Sequence, residues 1–165
     1  MLKVFTNDFL NVTVRNPETV ETDSKTLVDH AVTMIKSARL ASTIFSDVKS
    51  LKSFTLPPQP VYPVIFISIE DESRDHALAG QDSVDRSVGI NVLTKVKSRQ
   101  KSLDRNVVLA DRCRQVIMKY PDFNGACYNM GYVGTTYGQI TTGSDLVFGT
   151  QVLFNTQSYE SLPTS

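Results

Sequence analysis

The feature that most restricts the fold lies in the middle of the chain. Pro57, Pro58, Pro60 and Pro63, four of the seven prolines, fall close together. Proline fixes φ and has no N–H to donate, so it continues neither a helix nor the middle of a sheet. The segment is therefore an extended connector. It runs straight into Val61-Tyr62-Pro63-Val64-Ile65-Phe66-Ile67-Ser68-Ile69, which is β-branched and aromatic at most positions. Such a run reads as a strand buried on much of both faces. Helices elsewhere in the chain then cover the sheet that this strand belongs to.

Two helices are legible. The first spans about 25–40, with Leu27, Ala31, Met34, Ile35 and Ala38 at helical spacing and Asp23 or Ser24 as cap. His30 sits within that apolar face and reads as a packing residue. The second spans about 103–120, with Leu103, Val107, Ala110, Cys113, Ile117 and Tyr120 as its stripe. Ser102 is placed to cap it, and Pro121 with the turn pair Asn124-Gly125 stops it.

Strands fill most of the remainder. Arg86 to about Val96 alternates Val88, Ile90 and Val92 against Gly89, Asn91 and Leu93, and is expected to pair antiparallel with the 61–69 strand. Six of the eight glycines lie at or beyond Gly125. The candidate strands there are 126–133, 137–141 and 146–156. In the last, Leu146, Phe148, Val152 and Phe154 point one way. Residues 1–24 read as an extended arm, with Leu10, Val12 and Val14 alternating with polar residues until Pro17. Residues 157–165 read as a polar tail. The expected fold is α+β: a mainly antiparallel or mixed sheet, two helices on one face, an N-terminal arm and a long acidic loop, for which a flexible hairpin tip over 70–86 is the alternative. One domain occupies 25–156.

With 165 residues, 41% of them hydrophobic, the chain can bury a core without staples. Lys+Arg and Asp+Glu both number 17, so the net charge is zero, which argues against a free-standing nucleic-acid binder. The distribution is uneven. Between 70 and 86 stand Glu70, Asp71, Glu72, Asp75, Asp82 and Asp85, opposed by Arg74 and Arg86. Between 95 and 119 stand Lys95, Lys97, Arg99, Lys101, Arg105, Arg112, Arg114 and Lys119, opposed by Asp104 and Asp111. Two solvated faces would account for this. So would a head-to-tail contact, with one copy's acidic loop against another copy's basic strip. The interface candidates are those six acids with Lys95, Lys97, Arg99, Lys101, Arg105, Arg112 and Arg114.

Recognisable chemistry is sparse. There is no P-loop, dinucleotide glycine motif, nucleophile elbow or H-E-x-x-H. His30 and His76 lie in unrelated contexts, and neither has a nucleophile and orienting carboxylate at a usable spacing. Asp71, Asp75, Asp82 and Asp85 match no EF-hand loop. Cys113 and Cys127 form no C-x-x-C pair and read as buried hydrophobes in a reducing compartment; a bridge between subunits is the sharper alternative. No catalytic residue, metal or cofactor is expected. The longest apolar run, 61–69, is far short of the roughly 20 residues of a membrane span. No secretory signal is visible, which leaves the sequon Asn11-Val12-Thr13 idle. Arg105, Arg112 and Arg114 can reach phosphates without reading sequence.

The order of elements resembles the tail terminator family of long-tailed bacteriophages. The resemblance is carried by the 25–40 helix, Tyr62-Pro63-Val64-Ile65-Phe66, and Arg86-Ser87-Val88-Gly89-Ile90-Asn91-Val92. The helix Val107-Val108-Leu109-Ala110-Asp111-Arg112-Cys113 and the strand from Leu146 to Phe154 complete it. It covers about 25–156. It implies a non-enzymatic virion protein, assembled in the host cytoplasm into a hexameric ring. That ring caps the tail-tube protein and meets the head-closure or connector protein, with DNA passing nearby. Another neck, head-closure or tail-tube subunit is the alternative within that class. A small soluble ligand-binding domain or enzyme is the alternative outside it.

Overall fold

The computed structural model describes residues 24–53, 60–78, 81–95, 98–142 and 145–161. The expected arm lies outside these residues, except for Ser24, and so does Lys97. In chain order the elements are α1 (Ser24–Ala41), a 3-10 turn (Thr43–Phe45), β1 (Ser50–Ser53), β2 (Val64–Leu78) and β3 (Gln81–Thr94). Then follow α2 (Arg99–Met118), β4 (Asn129–Thr142) and β5 (Asp145–Ser161). The fold is α+β. One five-stranded mixed sheet has the order β1-β2-β3-β5-β4. β1 joins β2 in parallel and all other neighbours are antiparallel.

Both helices pack on one face of this sheet. Register places Ile65, Ile67, Val88, Ile90, Val92, Val152 and Phe154 on that face. They form one core with Leu27, Val28, Ala31 and Ile35 of α1 and Leu109, Ala110, Cys113 and Ile117 of α2. The expectation that the proline-led strand is apolar on both sides holds at one end. Val64, Leu93 and Val147 make a second, smaller cluster on the opposite face, flanked by Tyr62 and Phe66. Farther along, that opposite face is polar: Ser68, Asn91 and Gln151 form a hydrogen-bonded row.

Four expectations need correction. The acidic segment 70–86, expected as a long loop or a flexible hairpin tip, is the outer part of a paired hairpin. Its described residues belong to β2 and β3, paired from Val64↔Leu93 to Leu78↔Gln81. The strands carry no apolar period there because they reach past the ends of the helices, where charge pairing replaces apolar burial. The polar tail is strand as far as Ser161, since β5 continues along β3 to pair Ser161 with Gln81. Segments 126–133 and 137–141 are largely one strand, β4, interrupted only by a bulge between Tyr132 and Gly134. A bulge inserts an extra residue without ending the ladder.

The fourth correction concerns α2. It starts at Arg99, a turn earlier than expected, and Ser102 is buried inside it rather than capping it. Its buried face is Ser102, Asn106, Leu109, Ala110, Cys113, Val116 and Ile117, while Val107, Val108 and Tyr120 are exposed. Asn106 explains the rotation. Its Nδ2 donates to the carbonyls of Val92 at 2.8 Å and Phe148 at 3.0 Å, and its Oδ1 accepts from Thr150 Oγ1. A fully paired buried amide fastens the helix to β3 and β5.

Candidate interaction surface

The acids of the 70–86 segment divide by face. Glu72, Asp82, Arg86 and Glu160 share the helix side by register. Arg86 lies at their centre with its side chain 1% exposed. Its Nε donates to Glu72 Oε2 at 2.8 Å and to Ser24 Oγ at 2.8 Å. Its Nη1 donates to Ser158 Oγ at 2.9 Å, and Nη2 pairs with Glu160. Arg74 bridges the same two carboxylates, at 2.8 Å to Glu72 and 2.9 Å to Glu160. Burial works against the Glu72 charge. Hydrogen bonds from Arg74, Ser24 and Arg86 outweigh it and hold the carboxyl down at about 2. This cluster closes the end of the core within one protomer. Asp82, 6% exposed, is buried beside it.

Glu70, Asp71, Asp75 and Asp85 are exposed. Glu70 falls at the bulge between Ile69 and Asp71. Its carboxylate accepts from Ser68 Oγ and lies across Gly89, where an added Cβ would come within 2.5 Å of Oε1. Asp71 and Asp85 line a shallow polar depression of about 450 Å³ with Ser73, Ser87, Asn129 and Asn155.

The basic segment also divides. Arg105 is committed inside the protomer, paired with Asp47 and bonded to the Ile44 carbonyl, tying α2 to the turn before β1. Lys95 is half-buried, and Arg99 and Lys101 are exposed at the start of α2. Arg99 reaches across to Gln139 of β4 at 3.4 Å. Arg114 pairs with Asp111 at 2.6 Å and stands 5.5 Å from the centre of the Tyr132 ring, also on β4. Arg112 donates to Gln115, while its Nε is buried with no hydrogen-bond partner among the described residues. It borders a groove of about 340 Å³ between α1 and α2 with Thr33, Ser37, Lys119 and Tyr120.

The fold thus separates two charged surfaces. Exposed carboxylates lie along β2 and β3, and exposed cations lie on α2 beside β4, on the other side of the sheet. No single protomer brings Asp71 or Asp75 to Arg99 or Arg114. Sequence reasoning missed Ser24, Glu160 and Ser158 as partners of Arg86, because no local pattern links residues so far apart in the chain. It also missed the apolar strip of Val107, Val108 and Tyr137, the last 56% exposed. Among the described residues no group of three or more His, Cys, Asp or Glu gathers as metal ligands. No described helix is long and apolar enough to cross a membrane.

No family model and no curated protein matches the sequence. Among solved structures, the chain is similar to one from a structure described as "Virion of native gene transfer agent (GTA) particle". The TM-score is 0.51 at 11% identity, over 75% of this chain and 90% of the other. At that identity the two share a fold, and the virion chain is spanned almost whole.

Proposed function

We propose that this chain is a structural subunit of a phage-like particle, acting at the head–tail junction as a ring that ends the tail tube and joins it to the head connector. The observation that carries this reading is the fold shared with a chain of a gene transfer agent virion, over 90% of that chain's length. The element order of the tail terminator family points the same way. The separation of charge supports a head-to-tail ring. In such a ring the acidic side of one copy, with Glu70, Asp71, Asp75 and Asp85, comes next to the basic side of the following copy, with Lys95, Arg99, Lys101, Arg112 and Arg114, and the attraction acts across the thickness of the sheet. Exposed ion pairs contribute only about 0–1 kcal/mol each, so their work is to steer and register the copies. The hexamer is the symmetry proposed, with the tail-tube protein below it, the head-closure protein above it, and DNA passing through without sequence-specific contact.

Sedimentation of the purified chain at low and high salt, with electron microscopy of particles carrying a labelled copy, tests the reading. A ring of six and label at the neck are expected. A strict monomer that is absent from particles overturns it.

A further inference from the structure

Among the described residues the sheet ends in two open edges that differ in character. β1 covers β2 only from Val64 to Ile67. Beyond Ile67, β2 has no strand on its outer side among the described residues. That open stretch carries Glu70, Asp71, Glu72 and Asp75. The opposite edge is β4, 14 residues long. It has neither proline nor any charged residue. Soluble proteins protect long edges with charge, proline or a covering element, because unpaired N–H and C=O groups recruit other strands. Among the described residues β4 has only its bulge at Tyr132/Gly134. The cations nearest to it, Arg99 and Arg114, stand on α2 over Gln139 and Tyr132.

Three glycines of β4 add a second observation. By register Gly131, Gly134 and Gly138 lie opposite Asn155, Leu153 and Gly149, all on the sheet face away from the helices. A Cβ at any of the three would meet nothing within 4 Å. Packing inside the protomer therefore gives no reason for glycine there. Glycine in a strand also marks a place where another backbone comes close.

We infer that β4 of one copy pairs with the outer part of β2 of the next, so that the sheets run on from subunit to subunit around the ring. The inference rests on the ring reading above and names the contact that closes it. Strand sense agrees with it. Three antiparallel steps separate β2 from β4, so the two run in opposite directions. Rotation about an axis along the strands then sets the neighbour's β2 antiparallel to β4, with the helices of every copy on the same side. On the other side, Asp71, Ser73 and Asp75 of the neighbour lie beside a β4 surface that its glycines keep clear. Charge selects this pairing over its rivals. Two copies joined β2 to β2 would oppose like acids directly. Two copies joined β4 to β4 would leave the acidic edge open and form a closed pair instead of a ring.

Cysteine pairs test the contact, since a disulfide requires Cα atoms about 4.4–6.8 Å apart. The native thiols of Cys113 and Cys127 are buried, and burial pushes both up to about 12, so background reaction is low. Double variants combine Asp71→Cys, Ser73→Cys or Asp75→Cys on β2 with Gly131→Cys, Val133→Cys or Thr136→Cys on β4 in the full chain. After oxidation at least one double variant is expected to shift from monomer to a ladder of linked oligomers on a non-reducing gel. Each single variant is expected to stay monomeric on the gel. Sedimentation of the same samples checks ring formation and solubility. A ring with no ladder from any double variant, or linked dimers from a single β4 cysteine, overturns the edge pairing and leaves the ring standing. A monomer in solution and in particles overturns the ring, and the edge pairing with it.

Discussion

The guanidinium of Arg86 gathers Glu72, Glu160, Ser158 and Ser24 at the point where the sheet outruns its helices. Removing one partner of a buried pair leaves charge without compensation and costs about 3–5 kcal/mol. Arg86→Ala is expected to lose stability on that scale in urea unfolding, and with it the tie between the start of α1 and the hairpin. Glu72 gives the same cluster a pH signature. Its carboxyl titrates at about 2 in the folded protein against 4.5 ordinarily. A depressed carboxylate stabilises fully above its ordinary value, and the contribution is lost as pH falls through the folded one. Stability should therefore decline between about pH 4.5 and pH 2, and Glu72→Gln should flatten that decline. Unfolding curves at a series of pH values measure both effects.

At the scale of elements, the position of α2 separates what the sequence shows from what it conceals. Helix α1 is legible almost to the residue. Leu27, Ala31, Met34 and Ile35 form an apolar face with no buried polar residue to compete with it. The β2–β3 pairing is equally plain in Val88, Ile90 and Val92. The buried face of α2 includes Ser102 and Asn106. Hydropathy places such residues outside, because it cannot register that Thr94 Oγ1 donates to the Ser102 carbonyl or that Asn106 is satisfied by two strands. The same blindness leaves the acidic segment undecided between a loop and a hairpin tip, because its partners Ser24 and Glu160 are remote in sequence. Of the candidate interface, the sign of each segment was legible; which charges stay free was not, since Arg105 and Glu72 are committed inside the protomer. A pair of substitutions checks the phase of α2. Leu109→Ala, in the core, is expected to cost about 2–5 kcal/mol. Val108→Asp, one residue away but exposed, is expected to stay within about 0.5 kcal/mol in the isolated subunit. Thermal melts compare the two directly.

For the whole molecule, the consequence of separated charge is that assembly and folding respond differently to salt. Arg86, at the centre of its cluster, is buried, and screening reaches its own pairs weakly. The carboxylates on β2 and β3 and the cations beside β4 face solvent, where interactions beyond about 8–10 Å are screened at physiological ionic strength. Raising salt should therefore weaken the association of copies while leaving the melting temperature of the subunit nearly unchanged. Charge reversal makes the same division by mutation. Arg112→Glu with Arg114→Glu reverses two cations of α2; inside the protomer Arg112 gives up its bond to Gln115, and Arg114 gives up Asp111, Met118 Sδ and the Tyr132 ring. The double variant should fold with a near-native circular dichroism spectrum, assemble poorly by sedimentation and lower particle yield. Compensation sharpens the result. Asp71 and Asp75 of the neighbour lie on the other face of the continuous sheet, so the attraction is long-range; adding Asp71→Lys and Asp75→Lys should recover part of the lost association at low salt, because the two sides are again opposite in sign. Equal assembly of the native chain and the double variant would identify both arginines as ordinary solvated charges and place the ring contact elsewhere on the sheet.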